Sequence, residues 1–213
     1  MPARHPLLGR LGLRLPIIQA PMAGTSSPAM AAAVSGAGAL GSLGVGATDA
    51  EGARAMIRAV RERSDGPLNV NLFCHRAAIA DAEVEAAWIE RLRPEFAALG
   101  AEPPSALKEI YRSFVADEAM LAVLLEERPS VVSFHFGLPG EAAIRALREA
   151  GTVLLATATS LAEARVLEAA GMDAIVAQGW EAGGHRGVFD TEAPDDQLGA
   201  MALTRLLVRE TKL

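Results

Sequence analysis

Three helices in this chain close on a glycine and hand over almost at once to a short apolar strand. That punctuation constrains the fold more than any other feature. The Ala-rich helix read over residues 28–35 stops at Gly36, ahead of a strand at 39–43. A helix at 141–150 stops at Gly151 ahead of 152–156, and one at 161–170 stops at Gly171 ahead of 174–177. Glycine accepts the left-handed conformation that ends a helix, so each junction returns the chain directly to a sheet. Further short apolar runs predict strands at 16–20, Leu68–Phe73 and 131–136. Further helices are predicted at 50–63 behind Asp49, from Asp81 through 98, from 105 to about 127, and from about 197 to 210.

This alternation predicts about six βα units around a parallel sheet, either a (β/α)8 TIM-type barrel or a doubly wound sheet. No linker or low-complexity stretch divides residues 1–213, so they read as a single domain, with a helical insertion at about 81–127. A complete barrel typically takes about 250 residues and eight units. Here the chain stops after a helix, and an open six-unit sheet leaves two edges unpaired. The expectation is therefore an open α/β sheet, or a barrel without its last part.

Composition narrows the partners. The net charge is −6 and no Lys/Arg run offsets it, which argues against nucleic acid. Cys74 is the single cysteine, so no disulfide forms within the chain and a reducing cytoplasm is the expected setting. Gly and Pro break the apolar N-terminal stretches too often for a signal peptide, and the Ala/Gly-rich run at 29–47 is a poor membrane span.

Four stretches fall at the C-terminal ends of predicted strands, where ligands bind in barrels and open sheets alike. They are QAPMAG (19–24), NVNLF (69–73), SFHFGLP (133–139) and AQGWEAGGHRG (177–187). In the first, Pro21 lacks an N–H and Gly24 permits a tight turn, so the backbone there is either a flat ligand platform or a plain strand end. Asn69 and Asn71 share one face of their strand, and their amides need partners from a polar ring, backbone or water. Period-two alternation places His135 opposite both Phe134 and Phe136; such a histidine is more often a satisfied core residue than a catalyst. Successive N–H groups at Gly183 and Gly184 suit an anion nest that would carry His185 into a pocket. Glu181 orients that loop or faces water.

Other signals point nowhere. GAGALG (36–41) fits G-x-G-x-x-G, but it follows a helix and enters a strand, the reverse of the dinucleotide fingerprint. Cys74, His5 and His75 have no evident partner in sequence. No His/Cys/Asp/Glu spacing suggests a metal, and no nucleophile elbow anchors a Ser-His-Asp triad.

Taken in order, PIIQAPMAG, NVNLF, VVSFHFG and QGWEAGGHRG resemble the nitronate monooxygenase family, formerly called 2-nitropropane dioxygenases. The resemblance covers nearly the whole chain, and QGxEAGGHxG is its most specific part. It implies an FMN-dependent (β/α)8 barrel. On that reading Ala20, Pro21 and Met22 lie along the isoalloxazine. Asn69 and Gln178 bond the flavin, and Gly179, Gly183 and Gly184 belong to its binding loop. His185 is the catalytic base or substrate-orienting group, and His135 stands near the flavin as a second catalytic or supporting residue. The implied reaction converts nitronates or nitroalkanes and O2 to a carbonyl compound and nitrite, with the cofactor carrying the redox step.

The same resemblance implies a missing C-terminal part, since family members continue with further strands and a second phosphate-binding loop. A paired or swapped dimer would then cover the open edges. Two alternatives stand beside the leading one. The first is an FMN-dependent NAD(P)H:quinone or enoyl-acyl-carrier-protein reductase of the same superfamily. The second is an inactive, truncated flavin-barrel remnant.

Overall fold

The computed structural model describes residues 6–213; His5 lies outside them. Five parallel strands form one sheet: β1 (Gly41–Gly44), β2 (Leu68–Phe73), β3 (Val131–His135), β4 (Val153–Ala158) and β5 (Ala174–Ala177). Their order in space is their order in sequence. A doubly wound sheet reverses its strand order at a switch point; this one never does, so the winding is that of a barrel. The strand expected at 16–20 is reduced to one parallel bridge, Ile18 to Leu40 beside β1. Pro16 and Pro21 bound that stretch and cannot donate to a ladder. With the bridge counted, six βα units follow one another.

The helices are α1 (Pro6–Arg10), α2 (Pro28–Gly36), α3 (Ala50–Arg61), α4 (Ala82–Ala98), α5 (Glu118–Glu127), α6 (Glu141–Glu149), α7 (Leu161–Ala169) and α8 (Ala200–Glu210). Local side chains start most of them. Ser27, Asp49, Asp81, Asp117 and Ser160 each accept a backbone N–H from the first turn. The single helix expected from 105 is not formed. Residues 101–113 are irregular, a 3₁₀ turn covers Phe114–Ala116, and α5 begins only behind Asp117. Pro103 and Pro104 lie upstream, and Asp117 fixes the start by accepting the Met120 N–H at 3.0 Å. The last helix starts at Ala200 rather than near 197.

Strand alternation divides the interior in two. Val70, Leu72, Val132, Phe134, Leu154 and Ala156 face the helices and pack with Ile57, Leu124, Leu147 and Leu167. Each of the Val, Leu, Ile and Phe side chains contributes about 1.5–3 kcal/mol when fully buried. The alternate residues face the barrel axis. At its base, Leu40, Val131, Val153 and Leu155 close over Leu13, Leu7, Leu8 and Leu11, so α1 and the turn after it floor the interior. Above that floor the axial positions turn polar: Ser42, Asn69, Asn71, Ser133, His135 and Thr157. The sheet register sets them side by side, Ser42 beside Asn69, Asn71 beside Ser133, Phe73 beside His135.

Candidate functional site

The axial polar residues open into a cleft of about 720 Å³ at the C-terminal ends of the strands, within the ~300–1,000 Å³ range of small-molecule sites. It draws on all four of the stretches singled out in the sequence. Ala20, Pro21 and Met22 form one wall. Their loop is folded on Ser26, whose Oγ accepts the Met22 N–H at 2.9 Å and donates to the Ala20 carbonyl at 3.0 Å. Gly44 lets this loop lie against β1, because a Cβ there would stand 2.9 Å from the Ala23 nitrogen.

The two asparagines separate in role. Asn71 Nδ2 donates to Ser133 Oγ at 2.9 Å and to the Ser133 carbonyl at 3.2 Å, so the sheet occupies its amide donor. Asn69 Nδ2 donates to Ser42 Oγ at 3.1 Å, but its Oδ1 is buried without a partner. Gln19, unremarked in the sequence, accepts the Ser42 N–H through Oε1 and leaves a buried Nε2 unpaired. One orphaned acceptor and one orphaned donor therefore lie at the cleft. Buried polar atoms left this way cost about 1–3 kcal/mol each, and a planar heterocycle bearing both C=O and N–H groups carries the complementary acceptor and donor.

The fourth stretch is held from many sides. Gln178 spends its amide on the loop, donating to the His185 carbonyl at 2.9 Å and accepting the Gly187 N–H at 2.7 Å. One N–H of that amide remains free for a ligand. Arg186 pairs in bidentate fashion with Asp195 at 2.7 and 2.8 Å, donates to the Gln178 carbonyl and lies over the Trp180 ring. The pairing holds the Asp195 carboxyl down to about 2. Glu163, at the start of α7, accepts Thr159 N–H and Oγ1–H through one oxygen and the Phe189 N–H through the other. Glu181 does orient the loop: its carboxylate accepts the Ala200 N–H and so caps α8. Gly179 passes the α8 start so closely that a Cβ would meet the Ala200 nitrogen. Gly184 takes φ +80° and, with Gly183, faces open space.

His185 projects from this fixed loop with an exposed ring, edge-on to Tyr111 at 5.3 Å and to Phe73 and Phe136 at 5.8 Å. Among the described residues no side-chain or backbone group bonds its ring nitrogens. His135 is different. Its Nδ1 meets Thr157 Oγ1 at 3.0 Å and its Nε2 meets the His185 carbonyl at 3.2 Å. Burial holds its pKa below the ordinary histidine value. The expectation that His135 points away from both phenylalanines holds for Phe134, which stacks on Phe114 among the helices. It fails for Phe136, whose ring lies 4.3 Å from that of His135. The strand ends at His135 and Phe136 adopts φ +68°, so alternation no longer applies. A bulky residue in that conformation is strained, a property concentrated at functional sites.

Gln19 stands within QAPMAG without a role of its own in the sequence, and Ser26, Tyr111, Thr157 and Glu163 lie outside the four stretches. Beyond Gln19, only Glu163 carried a signal, standing three residues after the helix cap Ser160. Cys74 is buried, which pushes its thiol pKa up. The described residues hold no cluster of metal-ligating side chains, and no helix among them is long and apolar enough to cross a membrane.

Comparison with known proteins adds an independent line. A family model for nitronate monooxygenase matches residues 4–210. A nitronate monooxygenase of Paraburkholderia phytofirmans is 61% identical over 99% of this chain and 57% of its own length. A nitroalkane oxidase from Streptomyces ansochromogenes superimposes with TM-score 0.84 at 38% identity, covering 94% of this chain and 57% of that one. FabK from Thermotoga maritima superimposes with TM-score 0.69 at 27% identity, over 99% of this chain and 52% of that one. The chain thus spans a little over half the length of the relatives it matches, and its fold is of the (β/α)8 barrel type.

Proposed function

Because this chain belongs to the nitronate monooxygenase family, we propose that its cleft is an FMN site for oxidising nitronates or nitroalkanes with O2. The products are a carbonyl compound and nitrite. One observation carries this reading: all four strand-end stretches converge on one cleft, and buried Asn69 Oδ1 and Gln19 Nε2 await partners there. Ala20, Pro21 and Met22 would flank the flavin ring. Asn69 and the free N–H of Gln178 would bond it, while Gly179, Gly183 and Gly184 would hold the phosphate end with backbone groups. When bound, the flavin supplies the electron-accepting step that no side chain provides.

The protein's own contribution centres on His185. Its unbonded imidazole faces the cleft within a wall of three aromatic rings. It takes the α-proton of a neutral nitroalkane, or orients the anion of a nitronate already formed. Tyr111 and Phe73 stand edge-on to that ring. With Cys74 as its single, buried thiol, the chain suits a reducing cytoplasm.

The test begins with FMN added to the 213-residue chain, removal of free flavin and a visible spectrum. Stoichiometric bound flavin followed by nitrite release from a nitronate supports the reading. Flavin that washes away, or NAD(P)H consumption with quinone or enoyl substrate and no nitrite, overturns it. In a flavin-binding, active preparation, His185→Asn should lower turnover of neutral nitroalkanes by roughly 10²–10⁴-fold while flavin stays bound. Unchanged turnover removes His185 from the chemistry.

A further inference from the structure

We infer that His135 is a positioning residue: its ring, locked as the Nε2–H tautomer, fixes the backbone of His185 and so sets where that imidazole stands. The inference rests on the role proposed above for His185. A carbonyl oxygen can only accept, so His135 Nε2, 3.2 Å from the His185 carbonyl, must carry the hydrogen. In the neutral ring Nδ1 is then the acceptor, and the Thr157 hydroxyl, 3.0 Å away, donates to it. Both nitrogens are committed within the protein, and neither is left to take a proton from substrate.

The His185 carbonyl is shared. Gln178 Nε2 approaches it at 2.9 Å, so the two ligands of that oxygen come from the ends of β3 and β5. The closing glycine of the GGHRG stretch belongs to the same device. A Cβ on Gly187 would stand 2.6 Å from His135 Cε1 and 2.9 Å from Thr157 Cγ2. Gly187 is not in a left-handed conformation, so the demand for glycine there is one of space. The titratable groups that act on the His135 ring are Glu163, whose charge favours protonation, and His185, whose charge opposes it. Burial outweighs both and lowers its pKa below the ordinary histidine value.

The experiment is long-range ¹H–¹⁵N NMR on the histidine-labelled, ligand-free chain at neutral pH, with His135→Gln identifying the His135 signals. The expected result is one protonated nitrogen, Nε2, and one bare nitrogen, Nδ1. Thr157→Val, which preserves shape, should relax this into a mixture of tautomers. An Nδ1–H ring, or a freely averaging one in the unaltered protein, overturns the inference. In turnover, His135→Ala should lose on the order of 10²-fold through displacement of His185. His135→Gln, which keeps an amide donor for the carbonyl, should recover most of that loss. Equal damage from both also overturns it. Should no form release nitrite, the functional reading fails, and the spectrum of the ligand-free protein still decides the tautomer.

Discussion

Two long connections meet at His185, and they are held in opposite ways. The loop after β5, residues 178–199, is fixed by ionised side chains. Arg186 and Asp195 clamp it, Glu163 holds the Phe189 N–H, and Glu181 ties it to the start of α8. The connection after β2, residues 74–117, brings Tyr111 against the same imidazole but is anchored lightly. Ser113 Oγ donates to the His75 carbonyl at 2.6 Å, and α4 buries only Ile89 while Val84 and Trp88 stay exposed. The backbone that carries His185 is thus held by charge-assisted bonds, between side chains and to backbone groups, which fix direction as well as distance. The wall beside it relies on ring edges, the Ser113 bond, surface ion pairs of Arg76 and Arg112, and the buried side chains of Ile89 and Phe114, which hold it less tightly in direction. Local opening should therefore begin in the second connection.

Removing Glu163 should have the largest effect on this contrast. Glu163→Ala takes three backbone and hydroxyl bonds from a carboxylate, and about 2–3 kcal/mol of stability should go with them. Hydrogen exchange at Phe189 and Thr159 reads the change, and retained protection at Phe189 would show that the loop is held otherwise. Asp195→Ala should follow, at about 1–2 kcal/mol, since Arg186 keeps the Gln178 carbonyl and the Trp180 face. Limited proteolysis should then shift its first cuts into residues 178–199.

Acid sharpens the same comparison. The folded Asp195 carboxyl lies near 2, below its unfolded value of about 3.9. Its contribution is present above the unfolded value and fades as pH falls towards 2. His135 acts in the same direction at higher pH. Its folded pKa is lowered, so protonation favours the unfolded chain, and stability declines as pH drops below about 6.5. Denaturant midpoints measured from pH 8 down to pH 5 should fall, and Thr157→Val should change that slope while Asp195→Ala does not. Least affected of all should be Trp88→Ala on half-exposed α4, within about 0.5 kcal/mol by thermal unfolding.

Much of the fold was legible because its signals are local. Asp49 and Asp81 announce their helices from one turn away, and Gly151 and Gly171 end theirs where expected, whereas α2 runs through Gly36 and it is Gly38, at φ +90°, that turns the chain. The failures lie where distant contacts override local preference. Leu107, Ile110 and Tyr111 carry a helix-like spacing, yet the segment stays irregular and delivers Tyr111 to the cleft. The strand at 16–20 reads as β but sits beside two prolines and pairs at one position only. In the site, the residue types were visible but their bonds were not. Asn69 and Asn71 look equivalent until Ser133, sixty-two positions from Asn71, takes the Asn71 amide donor while Asn69 turns to Ser42. Glu163 looks like a helix-capping residue, and nothing near it in sequence announces Phe189. His135 was identified as a site residue, whereas the sharing of its two nitrogens between Thr157 and the His185 backbone is visible only in three dimensions.

The burial of Cys74 has a practical corollary. Thiol-directed reagents attack the thiolate, and a shielded side chain with a raised pKa offers them almost none. The chain thus comes with a silent background for labelling. A cysteine introduced at exposed Ala182, beside the two glycines of the β5 loop, would be its single reactive handle. A fluorophore attached there would report the loop's motions from outside, with no need to delete a native residue first.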